Sequence, residues 1–412
     1  MYQINTRQFT PEGTFSAATG RLPRLRELGV DIIYLMPIHE IGAVNRKGGL
    51  GSPYSVRDYY SVNSEFGTAE DFRRFVAAVH ASGMHVIIDW VGNHTAWDNP
   101  LAAEHPEWYL RDWKGRFRPT PWRDWPDVID LDYRSSDLRR YMADALVYWV
   151  REFDIDGYRC DVAGLIPTDF WDAVRRRLEE VKPVFMLAEW DARDLHEEAF
   201  DLSYAWSWFD AMKMAVREAP NLDALYMYYS RNETAFPADG MRMLFVSNHD
   251  KNAWEGTEFE IFGKGVGAAI VLSFVSKGMP LIYNGQEAGN SRRLAFFEKD
   301  PIEWRDHPHS DLYRRLIRLK KNNPALWNGQ WGANMEHVPN TVPRSVLSFV
   351  RMTGKAKVFA VFNLSDREES VAFTDGPFHG RYREYFTGER VGFPGTPGVD
   401  LTPWGYKIFV SS

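Results

Sequence analysis

Over residues 2–322, short apolar runs alternate with longer amphipathic ones about eight times. The short runs (2–9, 31–36, 84–89, 156–163, 184–188, 201–206, 242–247 and 279–284) are too brief for helices and too apolar for surface strands. They read as strands buried on both faces, the mark of a parallel sheet. The long runs (16–28, 68–82, 136–153, 168–182, 265–276 and 311–322) repeat apolar residues at helical spacing. Gly29 and Gly83 close two of them, and Thr68 opens one. Strand and helix in alternation build a parallel sheet with helices outside it. Eight such units favour a closed (β/α)8 (TIM) barrel, because closure leaves no edge strand exposed.

Two stretches break the alternation. Residues 95–130 are irregular and rich in Trp and Pro, and they read as a short domain inserted after the third strand. From residue 329 helical periodicity disappears. Short β-rich runs (345–351, 357–363, 369–373 and 406–410) predict a C-terminal antiparallel β-sandwich over 329–412. The expected catalytic barrel is therefore 1–94 with 131–328, a plausible division for 412 residues.

Composition narrows the partners. The net charge is −7 and no Lys/Arg block stands out, so nucleic acid is not an expected partner. No apolar run is long enough to suggest a membrane span. With one cysteine, Cys160, no intrachain disulfide can form. The chain as written fits the cytoplasm; a trimmed signal peptide would instead make it secreted or periplasmic.

The chemistry of a parallel barrel sits where strands end at their carboxyl side. The third strand runs into Asp89-Trp90-Val91-Gly92-Asn93-His94, the fourth carries Arg159 and Asp161, the fifth ends at Glu189, and the seventh at Asn248-His249-Asp250. Arg159 and Asp161 are two apart and share a strand face. A buried guanidinium and carboxylate are costly unless paired. Paired, the Arg is expected to hold the Asp ionised by depressing its pKa, as a nucleophile requires; by itself the pair reads equally as a structural ion pair.

These segments resemble the α-amylase superfamily of retaining glycoside hydrolases. Asp89-xxx-Asn93-His94, Gly157-Tyr158-Arg159-Cys160-Asp161, Glu189 and Asn248-His249-Asp250 match its four motifs in order. The resemblance implies catalytic roles for Asp161 (nucleophile), Glu189 (general acid, then base) and Asp250 (transition-state stabiliser). It implies substrate-binding roles for Tyr54 (stacking platform), His94, Arg159 and His249, with Asp89 supporting Arg159. The implied substrate is an α-glucan or malto-oligosaccharide, cleaved at α-1,4 bonds, and no cofactor is required for the chemistry.

A structural calcium held by Asn93, Asp130 and a carbonyl near residue 165 is left open, and no metal ligand is assigned. One departure is clear: many amylases carry Lys-His three and four places after the nucleophile, and here Gly164-Leu165 stand there. Gly51 also replaces an Asp that grips chain ends in glucose-releasing relatives, which favours an endo-acting cleft. An exo-acting α-glucosidase, an α-1,6-glucosidase and a transglycosylase remain alternatives. A non-catalytic carbohydrate-binding relative would have lost carboxylates that this chain keeps.

Overall fold

The structure, a computed structural model, describes residues 1–395 and 398–411. Residues 396, 397 and 412 of the expected C-terminal domain lie outside the described residues. Eight strands form the barrel: β1 (Tyr2–Ile4), β2 (Ile32–Leu35), β3 (His85–Trp90), β4 (Gly157–Cys160), β5 (Phe185–Ala188), β6 (Leu202–Tyr204), β7 (Met241–Phe245) and β8 (Met279–Tyr283). They close in the order β1-β8-β7-β6-β5-β4-β3-β2. Sequence neighbours are therefore ring neighbours, as short right-handed crossovers require. The described residues group into two compact units. One is Met1–Tyr204 with Ile282–Ser310; the other is Ala205–Leu281 with Asp311–Ser412.

In the first unit the ladders are parallel and place Asp89 opposite Arg159, Trp90 opposite Cys160, and Cys160 opposite Ala188. Gly157 at the start of β4 has φ +146°, and a Cβ there would lie 1.9 Å from the Phe185 carbonyl oxygen, so only glycine lets β5 approach. The helices form where the sequence caps them. Thr68 and Asp71 make a reciprocal capping box at the start of Ala69–Ala81. The Ser135 side chain accepts from the Leu138 amide at the start of Ser136–Phe153.

Two expectations need correction. The first strand stops at Ile4, and Thr6–Phe9 is a helical turn. The Gln8 and Phe9 amides bond back to the Asn5 carbonyl instead of a neighbouring strand. The helix expected over 16–28 is two pieces, Phe15–Thr19 and Leu22–Leu28. Pro23 lacks an amide proton and begins a new helix more readily than it continues an old one. Between β5 and β6 the connection carries a single 3-10 turn, Asp194–His196.

The inserted segment is closed at its base by an antiparallel ladder of His94–Ala96 with Val128–Asp130. Short helical pieces, Leu101–Glu104 and Pro106–Trp108, are all the regular structure between.

In the second unit β7 pairs with β8, Leu244 opposite Pro280. The C-terminal part is a β-sandwich. Its larger sheet has six antiparallel strands: Glu336–His337, Val346–Thr353, Ala356–Asn363, Tyr406–Ser411, Gly380–Glu384 and Arg390–Phe393, in that spatial order. Glu369–Ala372 pairs with Gly398–Leu401 as the second sheet. Phe359, Val371, Phe373, Tyr382, Phe393, Leu401 and Phe409 form one core between them. Arg351 is buried in this unit, and among the described residues no carboxylate pairs with it. Its guanidinium donates to the carbonyls of Val275, Ser276, Trp327 and Ala333, tying the sandwich to the C-terminus of Val266–Val275.

Candidate active site

The site in the first unit is built around Arg159, which the β3–β4 register places directly across from Asp89. Both side chains are fully buried, and Arg159 Nη1 lies 2.8 Å from Asp89 Oδ1. The same nitrogen lies 2.8 Å from Asp161 Oδ1, the residue that follows the end of β4. The other terminal nitrogen, Nη2, lies 3.1 Å from Glu189 Oε2. One guanidinium thus serves three carboxylates from three adjacent strand ends.

Tyrosines complete the cage. The hydroxyls of Tyr34 and Tyr54 donate to Asp89 Oδ2 at 2.7 and 2.9 Å. Arg159 Nε donates to the Tyr204 hydroxyl at 3.4 Å. The half-buried Tyr54 ring lies 5.7 Å from the Arg159 carbon and stacks on Phe296 at 6.2 Å. Asp89 therefore supports Arg159, as expected.

The electrostatics correct one expectation. Arg159 was to depress the Asp161 carboxyl. Instead burial, joined by the charge of Glu189, pushes Asp161 well above the usual carboxylate range, and Arg159 opposes this without overcoming it. Burial likewise pushes Asp89 up to about 6 despite Arg159. The Arg159 charge does not offset the burial of Asp89 and Asp161.

Sequence reasoning placed 156–163 in one strand, but β4 ends at Cys160. Val162 adopts φ 37° and ψ 46°, a left-handed conformation that a β-branched residue adopts at a cost of roughly 1–3 kcal/mol. The bend turns the Val162 amide onto Glu189 Oε2 at 2.8 Å. It also starts the 3-10 turn Ala163–Leu165. Gly164 in that turn is covered by the Trp190 indole: a Cβ at 164 would meet the ring at 2.2 Å. The glycine that replaces the family's lysine is thus what allows Trp190, the residue after Glu189, to lie there.

His94 is buried, and burial pushes its imidazole down to about 4 against a hydrogen bond with the Tyr54 backbone, so the ring is neutral. Its Nδ1 lies 3.1 Å from Asn93 Nδ2, and its ring is 5.6 Å from Trp125. Asn93 and Asp130 do meet, but as a closed hydrogen-bonded group. Asp130 Oδ1 accepts from the Thr120 hydroxyl and from Asn93 Nδ2 at 3.2 Å, and the Arg118 charge acts on it. One carboxylate with donor hydrogens turned toward it does not fit the six to eight oxygens, roughly, that calcium takes. Among the described residues no group of three or more His, Cys, Asp or Glu converges as a metal site.

In the second unit, Asn248-His249-Asp250 follow β7 after Val246 and Ser247. His249 is buried, with Nε2 3.5 Å from Asp250 Oδ2. The Asn248 side chain accepts from the Lys251 amide at 2.7 Å, fixing the turn that carries them.

Tyr34, Tyr204 and Trp190 were not anticipated, and Val162 was expected only as a packing residue of the strand. Tyr204 ends β6 and was open to the strand-end rule that found the others. Tyr34 needed the register, and Val162 the backbone.

Comparison with known proteins agrees with this architecture. Residues 5–335 match the alpha amylase catalytic domain, and residues 340–405 the alpha amylase C-terminal all-beta domain. The chain is 28% identical to the alpha-amylase MalA of Haloarcula japonica across 99% of its own length, and spans 61% of that relative. It superposes on a maltogenic alpha-amylase, AmyB, from Thermotoga neapolitana with TM-score 0.90 at 30% identity, covering 100% of this chain and 97% of the other. For an alpha-amylase from Lactobacillus plantarum the TM-score is 0.88 at 28% identity, with 100% and 98% covered.

Proposed function

This chain belongs to the alpha-amylase family, and we propose that it is a retaining α-glucan hydrolase that cleaves α-1,4 bonds of starch or malto-oligosaccharides inside the chain. The observation that supports this best is the sharing of Arg159 between Asp161 and Glu189. Carboxyls on neighbouring nitrogens of one guanidinium suit the separation of about 5 Å used for retention.

In the first step Asp161 attacks the anomeric carbon, the glycosidic bond breaks, and the Glu189 proton passes to the leaving oxygen. In the second, Glu189 takes a proton from water, which attacks the same carbon and releases Asp161. Asp250, by its motif and its place after β7, is the third carboxylate, bonding the sugar hydroxyls more strongly as charge develops. Tyr54 stacks under the reacting ring, and His94 and His249 bind its hydroxyls. Neutrality suits His94, which must not add charge beside an oxocarbenium-like centre. No cofactor enters the chemistry.

Endo action rests on Gly51, which offers no side chain to grip a chain end. This glycine also serves its turn: φ is +81°, a Cβ would meet Arg46 and Ile41 at 2.9 Å, and its carbonyl accepts from Arg7 at 3.0 Å. An Asp there would be strained, so no simple substitution would close the cleft in the way those relatives do. A second reading, release of maltose from short chains, is favoured by the likeness to the maltogenic Thermotoga enzyme.

Early-time digestion of soluble starch distinguishes them. Endo action drops iodine colour and viscosity before much reducing sugar appears, with mixed oligosaccharides first. Maltose as the sole early product would favour the second reading. Glucose as the sole early product, with viscosity falling in step, would overturn both in favour of an α-glucosidase.

A further inference from the structure

Trp122 stands in the inserted segment with its side chain fully exposed and φ at +65°. It is the third residue of the turn Thr120-Pro121-Trp122-Arg123, closed by the Arg123 amide on the Thr120 carbonyl at 3.3 Å. Pro121 fixes a negative φ at the second position, so a positive φ at the third makes this a type II turn, where glycine or asparagine belongs. A tryptophan here carries two penalties at once. The left-handed backbone is strained for a residue with a Cβ, and a whole indole is left in water. Glycine would remove both.

The turn is held from both sides. Thr120 is buried; its hydroxyl donates to Asp130 and accepts from Asn93 Nδ2 at 3.3 Å, and Asn93 in turn contacts His94. Past the turn, Lys47 Nζ donates to the Asp124 carbonyl at 2.5 Å and lies 3.6 Å from Asp127. Trp125, three residues on, packs against the His94 ring. The turn is thus continuous with the His94–Tyr54 wall of the site, and it presents a braced aromatic face outward.

We propose that Trp122 is a binding platform for a glucosyl unit of the α-glucan beyond those at the reacting centre, its indole stacking on the apolar face of the sugar. This rests on the function proposed above. It makes the inserted segment a length sensor, favouring chains long enough to reach the indole. A rigid aromatic surface loses little side-chain freedom on binding, which suits an outlying contact.

The test compares kcat/KM of the full chain and its Trp122→Gly and Trp122→Phe variants on maltoheptaose and on p-nitrophenyl α-maltoside. Trp122→Gly is expected to lose about 5–10-fold on maltoheptaose, through KM. That loss should be at least about threefold larger than on the short substrate. Trp122→Phe should recover most of it, and the Tm of Trp122→Gly should equal or exceed that of the wild type. Equal losses on both substrates, or a fall in Tm, would make Trp122 a structural residue and overturn the proposal. No loss on maltoheptaose with an active wild type would overturn it and leave the proposed function standing. A wild type inactive on both substrates would remove the two together.

Discussion

Replacing Arg159 with Met keeps the volume of the side chain and removes its charge. Asp89, Asp161 and Glu189 would then be left buried on adjacent strands without a cation. Breaking one buried pair by removing a partner costs about 3–5 kcal/mol. With three carboxylates depending on one guanidinium, the upper end, about 5 kcal/mol, is the expected loss near neutral pH. At about 2.1 cal/mol/K per residue over 412 residues, that corresponds to a fall in Tm of roughly 6 °C.

The sign of the pH dependence is the sharper part. Asp89 at about 6 and Asp161 above the carboxylate range bind more protons folded than unfolded, so wild-type stability already falls as pH rises toward those values. Arg159 is the charge that lowers both. Without it the folded values climb, and the variant keeps losing stability at a pH where the wild type has levelled. Thermal melts at about pH 5 and about pH 8 should show a small gap in acid and a wide one in base. A gap that is constant with pH, or wider at pH 5, would refute the reasoning that the three carboxylates share this one cation.

Asp161→Asn should lower kcat on starch by roughly 10⁴-fold or more while starch binding survives; retention of more than a tenth of the activity would exclude it as nucleophile. Glu189→Ala should lose far more on starch than on α-glucosyl fluoride, whose leaving group needs no proton, and azide should partly rescue it by attacking the glycosyl-enzyme. Equal losses without rescue would move the general acid elsewhere.

Much of this was legible in the sequence because it depends on spacing. The helix Ser136–Phe153 matches its expected bounds, since its apolar residues recur at helical spacing. The Arg159–Asp161 contact was expected from their two-residue spacing, and it is kept although Asp161 lies one residue past the end of β4. What depends on the third dimension was not legible. The left-handed turn at Val162 contradicts what a valine prefers locally, and tertiary packing overrides that preference. The direction of the Asp161 shift needed the sum of burial and its neighbours' charges, where the sequence showed one favourable pair. In the sandwich, Gly380–Glu384 and Arg390–Phe393 were missed because exposed arginines and glycines dilute their alternation; Tyr382 and Phe393 are the large residues they bury.

Cys160 has a consequence of its own. It lies fully buried on β4 between Arg159 and Asp161, and burial pushes its thiol far up, so in the closed barrel it is neither reachable nor a thiolate. A soluble alkylating agent can therefore react with it once β4 has come apart from its neighbours. An adduct left in the tightly packed ring would then hinder closure. The lone sulfur works as a clock for the rarest motion of the molecule: the rate at which it is captured measures how often the catalytic strand opens, and each capture removes that copy from the active population.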